Sequence, residues 1–354
     1  MISKIQPSVL AYVSDRPLAT GTIRSMADDF QVDEDLGFEP AGKGEHVLLQ
    51  IHKRHLNTEA VARQLARLAG VKLMDIGYAG LKDRLASTRQ WFSVNLAGKA
   101  EPDWATLVCD NLQILTVARH DRKLRRGALQ SNRFRLIVRD LQGDVADIEP
   151  RLRRVTQHGV PNYFGEQRFG HANLDRATAM FEGQLRVKDR HQRGLYLSSA
   201  RSELFNCVLS YRVGTGHWNR VVDGDVMMLN GTHSIFSVTQ VNAEIEQRVM
   251  QHDIHPTGPL WGRGELRTDS WARQMEERIL QDYTLWRNGL EQAGLEQQRR
   301  ALRLKVSDLQ WNFISRDELC LQFRLPPGSY ATMVLRETVV CDQAIEQDFH
   351  GNNL

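Results

Sequence analysis

Apolar residues alternate in short runs near both ends of this 354-residue chain and recur at helical spacing through its middle. Alternation marks a half-buried strand, and a spacing of three to four residues marks an amphipathic helix. Strands at both ends with helices between them predict one sheet closed from the two ends, with the middle carried as an insertion. The length suits about two domains of roughly 100–200 residues each.

Locally, Val47–Ile51, Ile76–Ala79, Trp91–Leu96, Leu112–Val117, Phe134–Val138 and Leu319–Leu325 read as strands. Phe92, Val94 and Leu96 share one side of theirs, with Trp91, Ser93 and Asn95 on the other; Phe134, Leu136 and Val138 share a face. A helix is predicted from Thr58, with Asn57 as side-chain N-cap, Val61, Leu65 and Leu68 on one face and Gly70 as its stop. From Arg151 to Arg303 the reading is mostly helical, with a long amphipathic stretch over Ser270–Arg287. Loops are expected at Val160–Asn162 and Pro256–Pro259, and Tyr330–Thr338 fits strand or helix.

A hydrophobic fraction of 41% and a charged fraction of 25% describe a soluble globular protein, long enough to bury its own core. Four scattered cysteines with no C-x-x-C pair argue against a zinc site or a disulfide framework. No signal-peptide core opens the chain, and no run approaches the ~20 apolar residues of a membrane span, so a cytoplasmic protein is expected. Phosphate-binding, dinucleotide-binding and G-x-S-x-G motifs are missing, which weakens ATP, NAD and serine-hydrolase readings. His52/His55 and His252/His255 lack a third ligand, so no metal is expected.

The net charge of +3 permits a polyanionic partner without demanding one. Basic residues cluster at Arg119–Arg126, Arg151–Arg154 and Arg186–Arg193. Each run alone suits a solvated face; three of them near aromatic segments raise the case for nucleic acid.

Three segments could carry chemistry. In Tyr78–Gln90, Asp83 stands between Lys82 and Arg84, cations that favour its ionised form. Such a carboxylate can attack an electrophilic sugar carbon, although a surface ion pair is the commoner fate of this triplet. In Gly127–Arg135, Asn132 could pair with a base edge and Phe134 could stack on a base face, or simply open a buried strand. In Gly159–Gly170, aromatic pairs interleave with Gln167 and Arg168, which suits single-stranded RNA or a packed anchor loop.

Taken in order, these segments resemble the TruD family of pseudouridine synthases. The likeness is carried by Asp29-Phe30-x-Val32-x-Glu34, by the Ala79–Gln90 pattern A-G-x-K-D-x-x-A-x-T-x-Q, and by Asn132-Arg133-Phe134. It continues through Pro161–Gly170, Ala200–Asn206, Asp223-Gly224-Asp225 and Pro327–Thr332. It implies an α+β fold: a catalytic domain with a mixed, mostly antiparallel sheet flanked by helices, in residues 1–157 and 305–354, and an inserted, mostly helical α/β domain in residues 158–304.

The resemblance also implies isomerisation of a tRNA uridine, at position 13 in the family, with no cofactor. The base leaves C1′ from N1, turns, and rejoins through C5, after extrusion into an aromatic-lined cleft. Asp83 matches the nucleophile, and whether it attacks C1′, attacks C6 or first acts as a base stays open. Phe30, Asn132 and Phe134 match substrate-contacting positions, Arg24 matches the partner of the aspartate, and Lys82 supports it. Tyr330 stands where the family has phenylalanine. Arg122, Lys123, Arg125, Arg126 and Arg168 are phosphate candidates. The expected partner is tRNA alone, bound by a monomer, with no membrane and no obligate protein partner. A non-catalytic RNA-binding or RNA-chaperone protein is the alternative, and a glycosidase or nucleosidase would need a second acid near Asp83.

Overall fold

The computed structural model describes residues 9–170 and 172–343. In chain order, β1 (Ala19–Ile23), β2 (Phe30–Asp35) and β3 (His46–Lys53) precede α1 (Thr58–Leu68), and β4 (Ile76–Tyr78), β5 (Ser87–Asn95), β6 (Leu112–His120) and β7 (Ser131–Gly143) follow it. Next come α2 (Ile148–His158), β8 (Val160–Pro161), α3 (Asn173–Phe181), α4 (Arg190–Gly214), β9 (Val226–Leu229) and β10 (Ile235–Ser237). Then come α5 (Ala243–Met250), β11 (Ile254–Leu260), α6 (Ser270–Leu280), α7 (Thr284–Gln292), β12 (Gln298–Ala301) and β13 (Arg303–Leu304). The last elements are β14 (Ser307–Phe313), β15 (Leu319–Leu325), α8 (Ala331–Arg336) and β16 (Val340–Gln343).

The chain divides into two compact units. The sheet unit holds Pro17–Pro150, Val306–Gly328 and the described residues from Thr338 onward; the second holds Arg151–Lys305, Ser329–Glu337 and the described residues up to Arg16.

In the sheet unit, ten strands run in the order β14-β15-β7-β2-β5-β3-β6, with β1 on β7 and β16, and β4 on β5. The pairs β2–β5 and β1–β16 are parallel; the other pairs in this sheet are antiparallel. The alternation read in the sequence is buried as expected on one side: Phe92, Val94 and Leu96 pack with Val47, Leu49 and Ile51 under Val61 and Leu65 of α1. The other side of β5 is covered too. Trp91 packs with Leu36, Leu48, Ala79 and Leu124, and the Ser93 hydroxyl accepts the Leu124 N–H at 2.9 Å. Gly77 makes room for that crossing, since a Cβ there would strike the Leu124 carbonyl oxygen.

The α1 helix starts at Thr58, but the Asn57 side chain makes no capping bond; its backbone carbonyl accepts from Ala60 and Val61 instead. Gly70 takes the left-handed conformation, φ 59°, that closes the helix.

The second unit is built on the 25-residue α4, whose Leu204 and Val208 pack with Ala177 of α3, Met275 of α6, and Trp286 and Leu290 of α7. Ser270–Arg287 is not one helix. The buried apolar positions jump from Leu280 to Trp286, out of step with a single helical face, and a 3₁₀ turn over Gln281–Tyr283 re-aims the chain. The unit also carries a four-stranded antiparallel sheet, β10-β9-β11-β12.

Two segments expected as loops are strands. Pro256–Pro259 lies inside the buried β11, where Pro256 uses its carbonyl to accept the Leu302 N–H and needs no donor. Gly258 there lets Phe205 and Leu302 close on the backbone. Val160–Pro161 pairs with β13.

Candidate active site

The loop between β4 and β5 carries Asp83 and is braced by its own flanks. Gln90, buried on β5, donates to the Gly80 carbonyl at 2.7 Å and accepts from the Thr58 hydroxyl at 2.9 Å. That hydroxyl in turn accepts the Lys82 N–H at 3.0 Å. Asp83 Oδ1 accepts the Leu85 N–H at 3.1 Å. These bonds explain why glutamine belongs to a pattern centred on an aspartate: with Thr58 of α1, outside the pattern, Gln90 holds a charged loop in one shape.

The cation that meets Asp83 comes from a distant segment. Arg24 Nη2 lies 2.8 Å from Asp83 Oδ2, with the arginine side chain 4% and the aspartate side chain 26% exposed. The aspartate thus keeps an open face while its counter-ion is sealed. The guanidinium also sits 4.4 Å above the Phe30 ring.

Lys82, expected beside Asp83, turns elsewhere. Its Nζ lies 2.6 Å from Glu34 Oε1 and donates to Asn132 Oδ1 at 2.9 Å. Glu34 Oε2 accepts the Trp91 N–H at 2.8 Å. Burial pushes the Glu34 carboxyl above its ordinary pKa, and Lys82 opposes that rise. A further cation, Lys53, is fully buried at the end of β3 and donates to the Leu56 carbonyl at 2.7 Å. Burial lowers its ammonium to about 8; Lys82 pushes the same way, and Asp83 and Glu34 oppose.

Strand register assembles the rest. On β2 and β7, Glu34 stands opposite Asn132 and Val32 opposite Phe134; on β15, Phe323 stands opposite Phe134. Phe134 stacks on Phe323 at 5.4 Å between centroids and meets Phe30 edge-on at 6.3 Å. Phe134 is 7% exposed, so it is a core residue with one ring face already covered. Arg24, Phe30, Lys82, Asp83, Asn132 and Phe134 therefore form one connected group within the sheet unit.

Arg122 is 84% exposed, and Arg125 and Arg126 are exposed. In the same run Arg119 pairs with Glu101 at 2.6 Å, and Lys123 donates to the Met74 carbonyl. Arg151, which opens the second basic run, is buried and holds the Asp15 carbonyl at 2.8 Å. Tyr330 and Arg168 belong to the second unit, where the Tyr330 ring lies 6.4 Å from that of Phe164 and the Arg168 guanidinium 5.3 Å from it. Tyr163 and Phe164 of that aromatic segment are buried, and Asn206 clamps Phe164 by bonds of 2.9 and 3.0 Å to its N–H and carbonyl. The segment is a packed anchor at these two rings.

Sequence reading did not give Glu34, Lys53 or Phe323 a role. Glu34 stood in a quoted motif and Phe323 in an alternating strand; a lone lysine ending a strand carries no signal. Among the described residues no group of three or more His, Cys, Asp or Glu could hold a metal ion, and no helix is long and apolar enough to cross a membrane.

Residues 8–176 and 172–338 match the profile of the family described as tRNA pseudouridine synthase D (TruD). Over 345 residues the chain is 52% identical to the tRNA pseudouridine synthase D of Nitrosococcus oceani, covering 96% of each. It is 52% identical to that of Methylococcus capsulatus over 324 residues, 91% of this chain and 92% of the relative. A crystal structure of a Methanosarcina mazei protein given the same family name aligns with a TM-score of 0.70 at 21% identity, over 94% of this chain and 96% of that one. That likeness concerns the fold, which is α+β with a mixed, mostly antiparallel sheet and helices. The chain belongs to the tRNA pseudouridine synthase D (TruD) family.

Proposed function

We propose that this chain converts a uridine of tRNA, at position 13, to pseudouridine, with Asp83 as the nucleophile. The observation that carries the assignment is the Arg24–Asp83 pair: a half-open carboxylate fixed by a sealed guanidinium on a self-braced loop. Asp83 attacks the target nucleoside, the N1–C1′ bond breaks, the base turns, and C5 bonds to C1′. The C5 proton is lost and N1 gains one, so composition is unchanged and no redox partner or nucleotide is consumed. Three cations, Arg24, Lys53 and Lys82, face two carboxylates, Glu34 and Asp83, an excess that suits a substrate bringing phosphate.

Phe30 and Phe134 are read as the aromatic wall for the extruded base, and Asn132 as the reader of its edge. Residues 158–304 are read as the family's inserted domain, and the protein as a monomer that needs no other protein. A hydrolase with paired carboxylates fits less well. The other carboxylate of this group, Glu34, is fully buried, with Lys82 and the Trp91 N–H on its oxygens.

The test is pseudouridine formation on unmodified tRNA transcripts by the wild-type protein, with neither metal nor nucleotide added. Product at position 13, lost when that uridine is replaced by cytidine, supports the reading; no product from a broad transcript pool refutes it.

A further inference from the structure

The Lys82 ammonium stands between Glu34 Oε1 at 2.6 Å and Asn132 Oδ1 at 2.9 Å. An ammonium has three donors and no acceptor, so the Asn132 amide must turn its oxygen toward it. The chemistry of the pair thus decides which end of the amide faces Lys82. The reverse rotamer would set an NH2 against an NH3⁺. Lys82 is itself fixed at both ends, by Thr58 at its backbone and by Glu34 at its tip. Glu34 is in turn pinned by the Trp91 N–H and stands opposite Asn132 across β2 and β7. The Asn132 amide nitrogen takes no acceptor among the described residues and is not sealed from solvent.

The free end of an asparagine locked this way, its amide nitrogen, can only donate. Three positions on a pyrimidine edge could face that donor. O2 is common to uracil and cytosine, so a donor there selects neither. N3 carries a hydrogen in uracil and a lone pair in cytosine, so a donor there selects cytosine. O4 is a carbonyl in uracil, where cytosine has an amino group, so a donor there selects uracil.

We propose that Lys82, held by Glu34, positions the Asn132 amide nitrogen as a donor to O4 of the target uracil, and that this bond admits uridine and rejects cytidine. The inference rests on the uridine-isomerising reading above. It also suits the reaction: turning the detached base about its N3–C6 axis exchanges N1 with C5 and O4 with O2. The same donor then meets a carbonyl before and after the turn. Asn132 touches the base, whereas Lys82 and Glu34 are positioning residues.

The experiment compares RNA carrying uridine or 4-thiouridine at the target, since sulfur accepts a hydrogen bond poorly. In the wild type, kcat/KM falls by about tenfold with the thio base, the size of one lost hydrogen bond. Asn132→Ala reduces that penalty to within about twofold, because no donor is left to lose. Lys82→Met also erases it, since the amide is free to turn, while Lys82→Arg retains it, because a guanidinium likewise only donates. A purely structural Lys82 would lower activity without changing the ratio.

Equilibrium binding of RNA with uridine or cytidine at the target gives the same comparison without turnover. Uridine is preferred by the wild type and by Lys82→Arg, and by neither Asn132→Ala nor Lys82→Met. A wild type indifferent to the thio base, or a uridine preference that survives both Asn132→Ala and Lys82→Met, overturns the proposal. Wild type that makes no pseudouridine from unmodified RNA refutes the functional reading instead, and the binding comparison still decides the role of Asn132.

Discussion

Arg24 Nη2 stands 2.8 Å from Asp83 Oδ2, and the arginine reaches that place from a left-handed backbone, φ 61°. A non-glycine residue in this conformation costs on the order of 1–2 kcal/mol. It persists because the side chain is held on two sides, by the carboxylate and by the Phe30 ring. Backbone strain is thus tied to aiming one charge at another.

Arg24→Gly separates the two effects, because glycine accepts φ 61° without strain. The substitution is expected to lower kcat by about tenfold to a hundredfold, through loss of a charged donor on the nucleophile, while the unfolding midpoint moves little. Steady-state kinetics beside thermal unfolding checks it. A large fall in stability with unchanged kcat would make Arg24 a structural residue.

Phe134 has both a packing role and a proposed role at the base. Phe134→Ala removes the stack on Phe323 and the edge contact with Phe30, and is expected to destabilise the protein by about 3–5 kcal/mol. Phe134→Leu keeps most of the volume, so it should stay folded while losing turnover. Denaturant unfolding and single-turnover rates on both variants check this; full activity in Phe134→Leu would confine the ring to the core.

Arg122, Arg125 and Arg126 are exposed, whereas Lys123 is engaged with the Met74 carbonyl. Replacing the three arginines with alanine should weaken tRNA affinity and reduce the slope of log Kd against log salt by about two to three. Binding titrations across salt concentrations measure it, and an unchanged slope would place the run away from RNA.

Lys53 is buried and its ammonium is lowered from 10.5 to about 8. Below pH 8 both folded and unfolded chains hold that proton, and above 10.5 neither does. Between these limits the unfolded chain binds more protons, so stability rises with pH through the window. The wild type should gain stability relative to Lys53→Met between pH 8 and 10.5, on the order of 3 kcal/mol at most. Urea unfolding of both proteins at pH 7.5 and 10 reads the difference, and parallel curves would contradict it.

The sheet was legible where burial follows local alternation. Phe134, Leu136 and Val138 are all buried, as are Val61 and Leu65 on α1. The sheet of the middle segment was not, because Pro256, Gly258 and Pro259 carry the chemistry of a turn. Only the three-dimensional neighbours show that Gly258 serves close packing against Phe205 and that Pro256 needs no donor. Asp83 and its loop stood out in the sequence, but the identity of its cation did not. Lys82 is adjacent in the chain yet turns to Asn132, fifty residues away, while Arg24 arrives from another segment. Local charge spacing says which groups are present, and strand register decides which of them meet.

The most direct test sets wild type and Asp83→Asn side by side on the same tRNA transcripts, measuring pseudouridine formed and RNA bound. The substitution keeps size and polarity and removes the negative charge that Arg24 holds. The account predicts product from the wild type alone, with RNA bound by both proteins. Turnover by Asp83→Asn at a rate near that of the wild type would contradict it.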